Sequence, residues 1–487
     1  MARPSPAVEH LLRRAGFGAT PAERDKFSRY TVPNAIVALT SFDISADDVD
    51  RHIGTPGYVG VTVRNPGFAP NTSINDARQR WLFRMVHSPA PLQEKMALFW
   101  HHHFATAFGK ISGIYGPTDA TRMMAAKRNE DPTGMTGQIE LFRQAGLANF
   151  RALLAAVAQD PAMLVWLDGR LNVRNNPQEN FGRELMELFT FGVENYRESD
   201  VYAAARVFTG WNLRVTGAGT PAAHYQFEYR AANHDTNAKD FSFPVYGDGS
   251  TRIPARPASA GMADGFDLIA ALAMHPETAR RMARRLWAWF VSEVDPPEAA
   301  FVENIAQVYL KNDTNMKPVV RAVLQAPQFI DKKRFYQRYA WPVEFVVRSL
   351  KELGHVGFSV DSALAPLQNM GQQLFEPPDV NGWDLGAGWF STGGMLARMN
   401  FASTLAQNQR FAVRDQARDA WVGASAEALL SFVLERLSLP APDAPVRAAL
   451  INYINAGSPF TGTESQLLNK TGGLFHLLTG SGEYQLV

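Results

Sequence analysis

Helical periodicity runs through nearly the whole chain, and this pattern most limits what it can become. Apolar residues recur at i, i+3, i+4 and i+7 over Ile74–His87, Pro91–Phe108, Leu147–Ala158, Asn180–Phe191, Ser199–Thr209, Glu277–Val291, Met316–Ala326 and Trp341–Leu353. Pro91, Ser199 and Pro276-Glu277 stand where helices start. Strand-like runs are short: Tyr58–Val63, and Tyr225–Tyr229 with Phe241–Tyr246 read as a hairpin. The expected fold is mainly α, a large multi-helix domain over 1–410. A small β-containing loop insert falls at about 212–256, and a helical extension over 411–487 packs on the domain.

Within this pattern, Glu179-Asn180-Phe181-Gly182-Arg183-Glu184-Leu185-Met186-Glu187 sets three acids and an arginine in nine residues. Leu185, Met186, Leu188 and Phe189 mark the buried stripe. Glu179, Arg183 and Glu187 follow at i, i+4 and i+8 and line one side of a helix. Glu184 sits beside the apolar seam, where a carboxylate needs a partner. Acids held there suit general acid/base or metal chemistry; the same spacing also suits an ion-pair ladder that only orders the helix.

Composition removes several classes of function. Lys+Arg at 48 against Asp+Glu at 47 gives no bulk field to recruit nucleic acid, and no nucleic-acid motif is present. The absence of cysteine excludes haem-thiolate and iron–sulfur sites, and favours life outside a reducing compartment. No Gly-x-Gly-x-x-Gly after a strand and no Gly-Lys-Ser/Thr loop is found, so a nucleotide site is not expected. No apolar run reaches membrane-spanning length, and the first residues lack the apolar core of a signal peptide. Export therefore requires a removed leader or a co-exported partner. Otherwise the protein is cytoplasmic.

Further polar constellations stand out. In His101-His102-His103, His101 and His103 would point roughly 200° apart on a regular helix, so both reach one divalent metal only at a frayed end or kink. Asp160 reads as a cap before Pro161. Asp168 opens an amide-rich loop that can present Asn172 to a polar ligand or simply make a turn. His234-Asp235 is an oriented base or a metal ligand with its second carboxylate. Trp211 and Trp383 lie beside glycine-rich turns, where exposed rings suit sugars.

Seven blocks occur in a familiar order: Leu11–Gly18, Glu94–Phe104, Asp160–Asp168, Glu179–Gly192, Ala204–Trp211, His234-Asp235 and Gln373–Trp383. Over roughly residues 10–405 they resemble the bacterial family called domain of unknown function 1800. The family's His-Asn-His is here His101-His102-His103, so the middle position looks non-essential. Its Asn-Glu-Asn-Phe-Ala-Arg-Glu appears as Gln178–Glu184. Its His-Asp-Thr loop departs after Lys239, with Ser242 and Phe243 in place of Leu-Gly. The resemblance implies a helical protein working on periplasmic or secreted material beside a co-exported phosphatase- or sulfatase-like partner.

The functional expectation is a hydrolase- or lyase-type enzyme acting on a carbohydrate-containing substrate. Glu184 and Glu187 supply the carboxylates, with His101 or His234-Asp235 as second proton carrier. Asp168, Asn172, Glu179, Arg183, Arg206, Trp211 and Trp383 bind substrate. A metal-dependent redox protein using His101, His103 and Glu187, and a non-enzymatic partner protein, are the alternatives.

Overall fold

The computed structural model describes residues 3–43, 48–65, 67–420 and 425–487. Among these residues the chain is mainly α, with two small antiparallel two-stranded sheets in the insert. Local start signals account for many helix boundaries. Thr20 and Glu23 form a reciprocal capping box ahead of Pro21–Phe27, and Ser73 accepts the Asp76 amide at the head of Ile74–His87. Asp160 caps Pro161–Trp166 by accepting the Met163 amide at 2.9 Å.

The helix Pro91–His103 is the centre of the molecule, and all thirteen of its residues are buried. Its polar residues therefore need partners inside the protein. Glu94 accepts from Arg84 of Ile74–His87 at 2.8 Å and from Arg143 of Gln138–Ala145 at 2.7 Å. Lys95 pairs with Glu344 of Pro342–Leu353, and Glu344 also receives Arg338 at 2.7 Å.

The sequence pattern carries this helix on to Phe108, but it stops at His103 and a second helix starts at Phe108. Tertiary contacts set that break. The Phe375 carbonyl accepts the Phe108 amide at 2.8 Å, and Glu376 accepts the Gly109 amide at the start of the new helix. Both acceptors come from 371–391, a stretch without α-helix whose Pro377-Pro378 and glycines forbid one.

The insert pairs differently from the expected hairpin. Strand β1 (Trp211–Thr216) lies antiparallel to β2 (His224–Tyr229), and β3 (Lys239–Asp240) to β4 (Arg252–Ile253). Phe241–Tyr246 is mostly irregular, and Tyr58–Val63 contributes only an isolated bridge from Gly60 to Ser359. The helix Thr392–Ala420 runs unbroken through 410, so a boundary there would cut it, and it packs against Glu464–Thr479. The tail is tied to the core by the Val487 amide on the Arg338 carbonyl at 2.8 Å. No helix among the described residues is long and apolar enough to cross a membrane.

Gly382 shows how tightly 371–391 closes on the central helix. Its φ is +87°, and a Cβ there would stand 2.3 Å from His102 Nδ1 and 2.6 Å from the His102 carbonyl oxygen. Gly382→Ala should cost about 2–3 kcal/mol in urea unfolding, through left-handed strain and overpacking. Gly113→Ala, in open space on an exposed helical face, should instead stabilise by roughly 0.5–1 kcal/mol. Equal effects at the two positions would contradict the packing described.

Candidate functional site at the end of the central helix

The three histidines close the C-terminal end of the central helix, each turned to a different neighbour. His101 Nε2 accepts the Phe375 amide at 3.2 Å, and its ring lies among Trp81, Phe375 and Trp383. His102 Nδ1 accepts the Trp383 amide at 3.2 Å. His103 Nε2 bonds the Phe189 carbonyl at 3.1 Å, so that nitrogen carries the proton, while its buried Nδ1 has no partner. Burial pushes His101 down to about 3. Burial, and then the Arg285 charge, hold His102 and His103 well below the ordinary histidine range.

These bonds correct two expectations. His101 and His103 do not converge on a metal: each uses a ring nitrogen on a different element, and among the described residues no group of three or more His, Asp or Glu is placed to hold one. His102, the middle position that looks non-essential, fastens the Trp383 segment. His101 is sealed among aromatic rings and cannot serve as a proton carrier to solvent.

Phe189 belongs to the acid-rich segment. Asn180–Glu184 is α-helical, and Leu185–Phe189 widens into a π turn, a feature frequent at functional sites. The wider turn takes Glu187 off the line expected through Glu179 and Arg183. Arg183 pairs with Glu179 at 3.3 Å and with Glu198 instead. Glu187 accepts the Tyr196 hydroxyl at 2.5 Å and lies in the field of Arg281, which donates to the Leu188 carbonyl. Glu184 is half-buried and makes no hydrogen bond or ion pair. Desolvation, then the Glu187 charge, raises its pKa, with Arg183 opposing.

The rim is polar. Asp168, at φ +59°, receives Lys110 at 3.0 Å and Asn180 at 3.3 Å. Asn180 and Glu184 are one turn apart on the same helix face. Asn172 is different: it is buried, donates to the Ala205 carbonyl at 2.9 Å and accepts the Gln178 amide at 2.9 Å. It shapes the loop and is buried away from any ligand.

The insert residues form a separate cluster. His234 Nδ1 bonds the Thr209 carbonyl at 2.8 Å, and its Nε2 lies 3.3 Å from Asp264, which also binds Lys239 and Arg256. Both side chains of the His234–Asp264 pair are sealed. Asp235 is held by Arg206 at 2.7 Å, and hydrogen bonds from Arg206 and the Asn237 amide outweigh desolvation to bring it to about 2. His234, Asp235 and Arg206 thus fasten the insert, and no hydrogen bond or ion pair joins them to the acid segment. Trp211 packs on Phe208, Phe227 and Phe266 in the core, and Trp383 lies between His101 and His102. Neither offers a free face to a sugar. Ser242 and Phe243 are anchors, on Asp200 and on the Phe191 ring.

Tyr196, Arg281, Arg285 and Lys110 carry no sequence signal that marks them, and Glu376 only that of its block; the tertiary structure brings them to this end of the central helix. Cavities of about 600 Å³ lined by Arg24, Phe432 and Arg436, and of about 570 Å³ lined by Leu434, Val446 and Leu478, lie away from the acid segment.

A family profile described as Protein of unknown function (DUF1800) matches residues 10–486, and the chain belongs to that family. No curated protein and no solved structure matches it. The match continues past 405 through the C-terminal helices.

The buried neutral histidines fix a pH dependence. A folded pKa near 3 against about 6.5 in the unfolded chain means that the unfolded state binds more protons between these values. Stability therefore falls as pH drops below about 6.5, by about 2 kcal/mol for His101 between pH 7 and 5. His101→Gln, which keeps an acceptor for the Phe375 amide, should remove about that much of the loss in urea titrations at the two pH values. An unchanged pH dependence would show that His101 is not held neutral.

Proposed function

We propose that this protein is a hydrolase- or lyase-type enzyme working outside the cytosol on a carbohydrate-containing substrate, with Glu184 and Glu187 as its acid/base pair. One observation carries the reading: two carboxylates, one closing an α turn and one in the π turn that follows, stand in unlike surroundings. Glu184 is desolvated, unpartnered and raised in pKa, the state of a general acid. Glu187 is held by the Tyr196 hydroxyl beside Arg281, placed to act as base or to stabilise positive charge. Arg183, beside Glu184, opposes the rise and tunes the acid.

The polar rim supports a hydroxyl-rich ligand. Lys110, Asp168, Asn180 and Glu179 are exposed or half-buried and offer donors and acceptors in alternation. Asp168 and Glu187 remain reachable from solvent, whereas a purely structural ladder would seal and neutralise its charges. The cysteine-free composition supports an extracytosolic setting.

Glu184→Gln and Glu187→Gln should each fold normally and lose turnover by about 10²-fold or more on any glycan that the wild-type protein cleaves. Glu184→Gln should leave stability unchanged or slightly raised, since it removes an unpartnered desolvated charge. Full turnover in either variant would overturn the assignment.

A further inference from the structure

The helix Pro276–Phe290 brings two arginines, one turn apart, to the same end of the central helix. Arg281 uses one donor on the Leu188 carbonyl and shares the field of Glu187. Arg285 is half-buried and makes no hydrogen bond and no ion pair. Burial, and then the Arg281 charge, bring Arg285 down to about 9. His102 and His103 stand beside it and, both neutral, bring no charge to answer it.

Several buried arginines around the central helix are answered by carboxylates, whereas Arg14, equally buried, reaches only the Arg334 carbonyl. Arg84 meets Glu94, Arg143 meets Glu94 and Glu140, Arg338 meets Glu344, and Arg348 meets Glu352. Arg285, half-buried with its donors open to solvent, has no carboxylate beside it. Glu187 lies in the field of Arg281 alone of the two, so the surplus positive charge sits on Arg285. A planar fork of unused N–H donors beside a second guanidinium matches an oxyanion, which it can bind through two parallel hydrogen bonds.

We propose that Arg281 and Arg285 form an oxyanion-binding site beside Glu187, which takes the carboxylate, sulfate ester or phosphate ester of a ligand. The site stands on its own geometry. Joined to the acid pair, and resting there on the reading given under Proposed function, it makes the substrate class an anionic glycan whose charged substituent is held while Glu184 and Glu187 act on a neighbouring bond.

The test titrates the full chain with sodium sulfate, sodium phosphate and sodium glucuronate against sodium chloride at constant ionic strength, reading the thermal midpoint. At least one oxyanion should raise the midpoint saturably above chloride. Response to glucuronate alone assigns a carboxylate ligand, and response to sulfate or phosphate assigns an ester. Arg285→Gln should weaken the response about ten-fold or more, and Arg285→Lys, which keeps the charge without the fork, should be intermediate. Arg284→Gln removes the same charge from an exposed position on the same helix and should respond like wild type. The proposal is overturned if no oxyanion acts beyond chloride, or if Arg285→Gln and Arg284→Gln respond alike. Glu184→Gln separates the two readings: it should keep the anion response whether or not it abolishes turnover.

Discussion

Burying a helix on every side forces its polar residues to choose partners, and the rest of this structure follows from that constraint on Pro91–His103. Glu94 and Lys95 stand next to each other in sequence and point to different neighbours, Glu94 to Arg84 and Arg143, Lys95 to Glu344. Buried ion pairs of this kind give little net stability after desolvation, but they strongly disfavour arrangements that leave one charge alone. At the other end, His101, His102 and His103 do the same with hydrogen bonds. Two hold the non-α segment 371–391, and the third holds the π turn. One helix therefore fixes the relative positions of three neighbouring helices and two segments of non-α backbone.

The acid pair depends on that arrangement. A π turn leaves carbonyl groups poorly satisfied, and here one of them, that of Phe189, is met by a buried imidazole. The same turn rotates Glu187 toward Tyr196 and Arg281 while leaving Glu184 on the face of Asn180. Two carboxylates three residues apart thus receive different surroundings. The insert contributes a separate, sealed polar cluster around Asp264, and its far end reaches the segment after the π turn through Phe243 on Phe191.

Helices with strong periodicity and local caps were legible from the residues: Ile74–His87 and the start of Pro91–His103 fall where the pattern puts them. What the pattern cannot carry is a boundary set from a distance. The break after His103 is made by Phe375 and Glu376, some 270 residues away. The Glu179–Arg183–Glu187 ladder assumes 3.6 residues per turn, and the π turn breaks that assumption. Strand β1 reads Trp-Asn-Leu-Arg-Val-Thr and was masked by the glycine-rich turn that follows it. Of the candidate site, Glu184, Glu187 and Asp168 were visible as acids beside apolar or amide-rich sequence. Arg281 and Arg285 went unmarked, because sequence spacing does not say that another helix end covers their face of Pro276–Phe290. His234 and Trp383 looked functional because a conspicuous residue beside a turn has the same signature whether it faces a ligand or the core.

The central claim is that the histidines at the end of Pro91–His103 hold the surrounding backbone in place. The amides of Phe375 and Trp383 lie in irregular chain and have only His101 Nε2 and His102 Nδ1 to bond. Native-state hydrogen exchange at pH 7 reads this directly. These two amides should exchange as slowly as those in the middle of the central helix, through near-global unfolding. Exchange at the rate of an open loop would contradict the account.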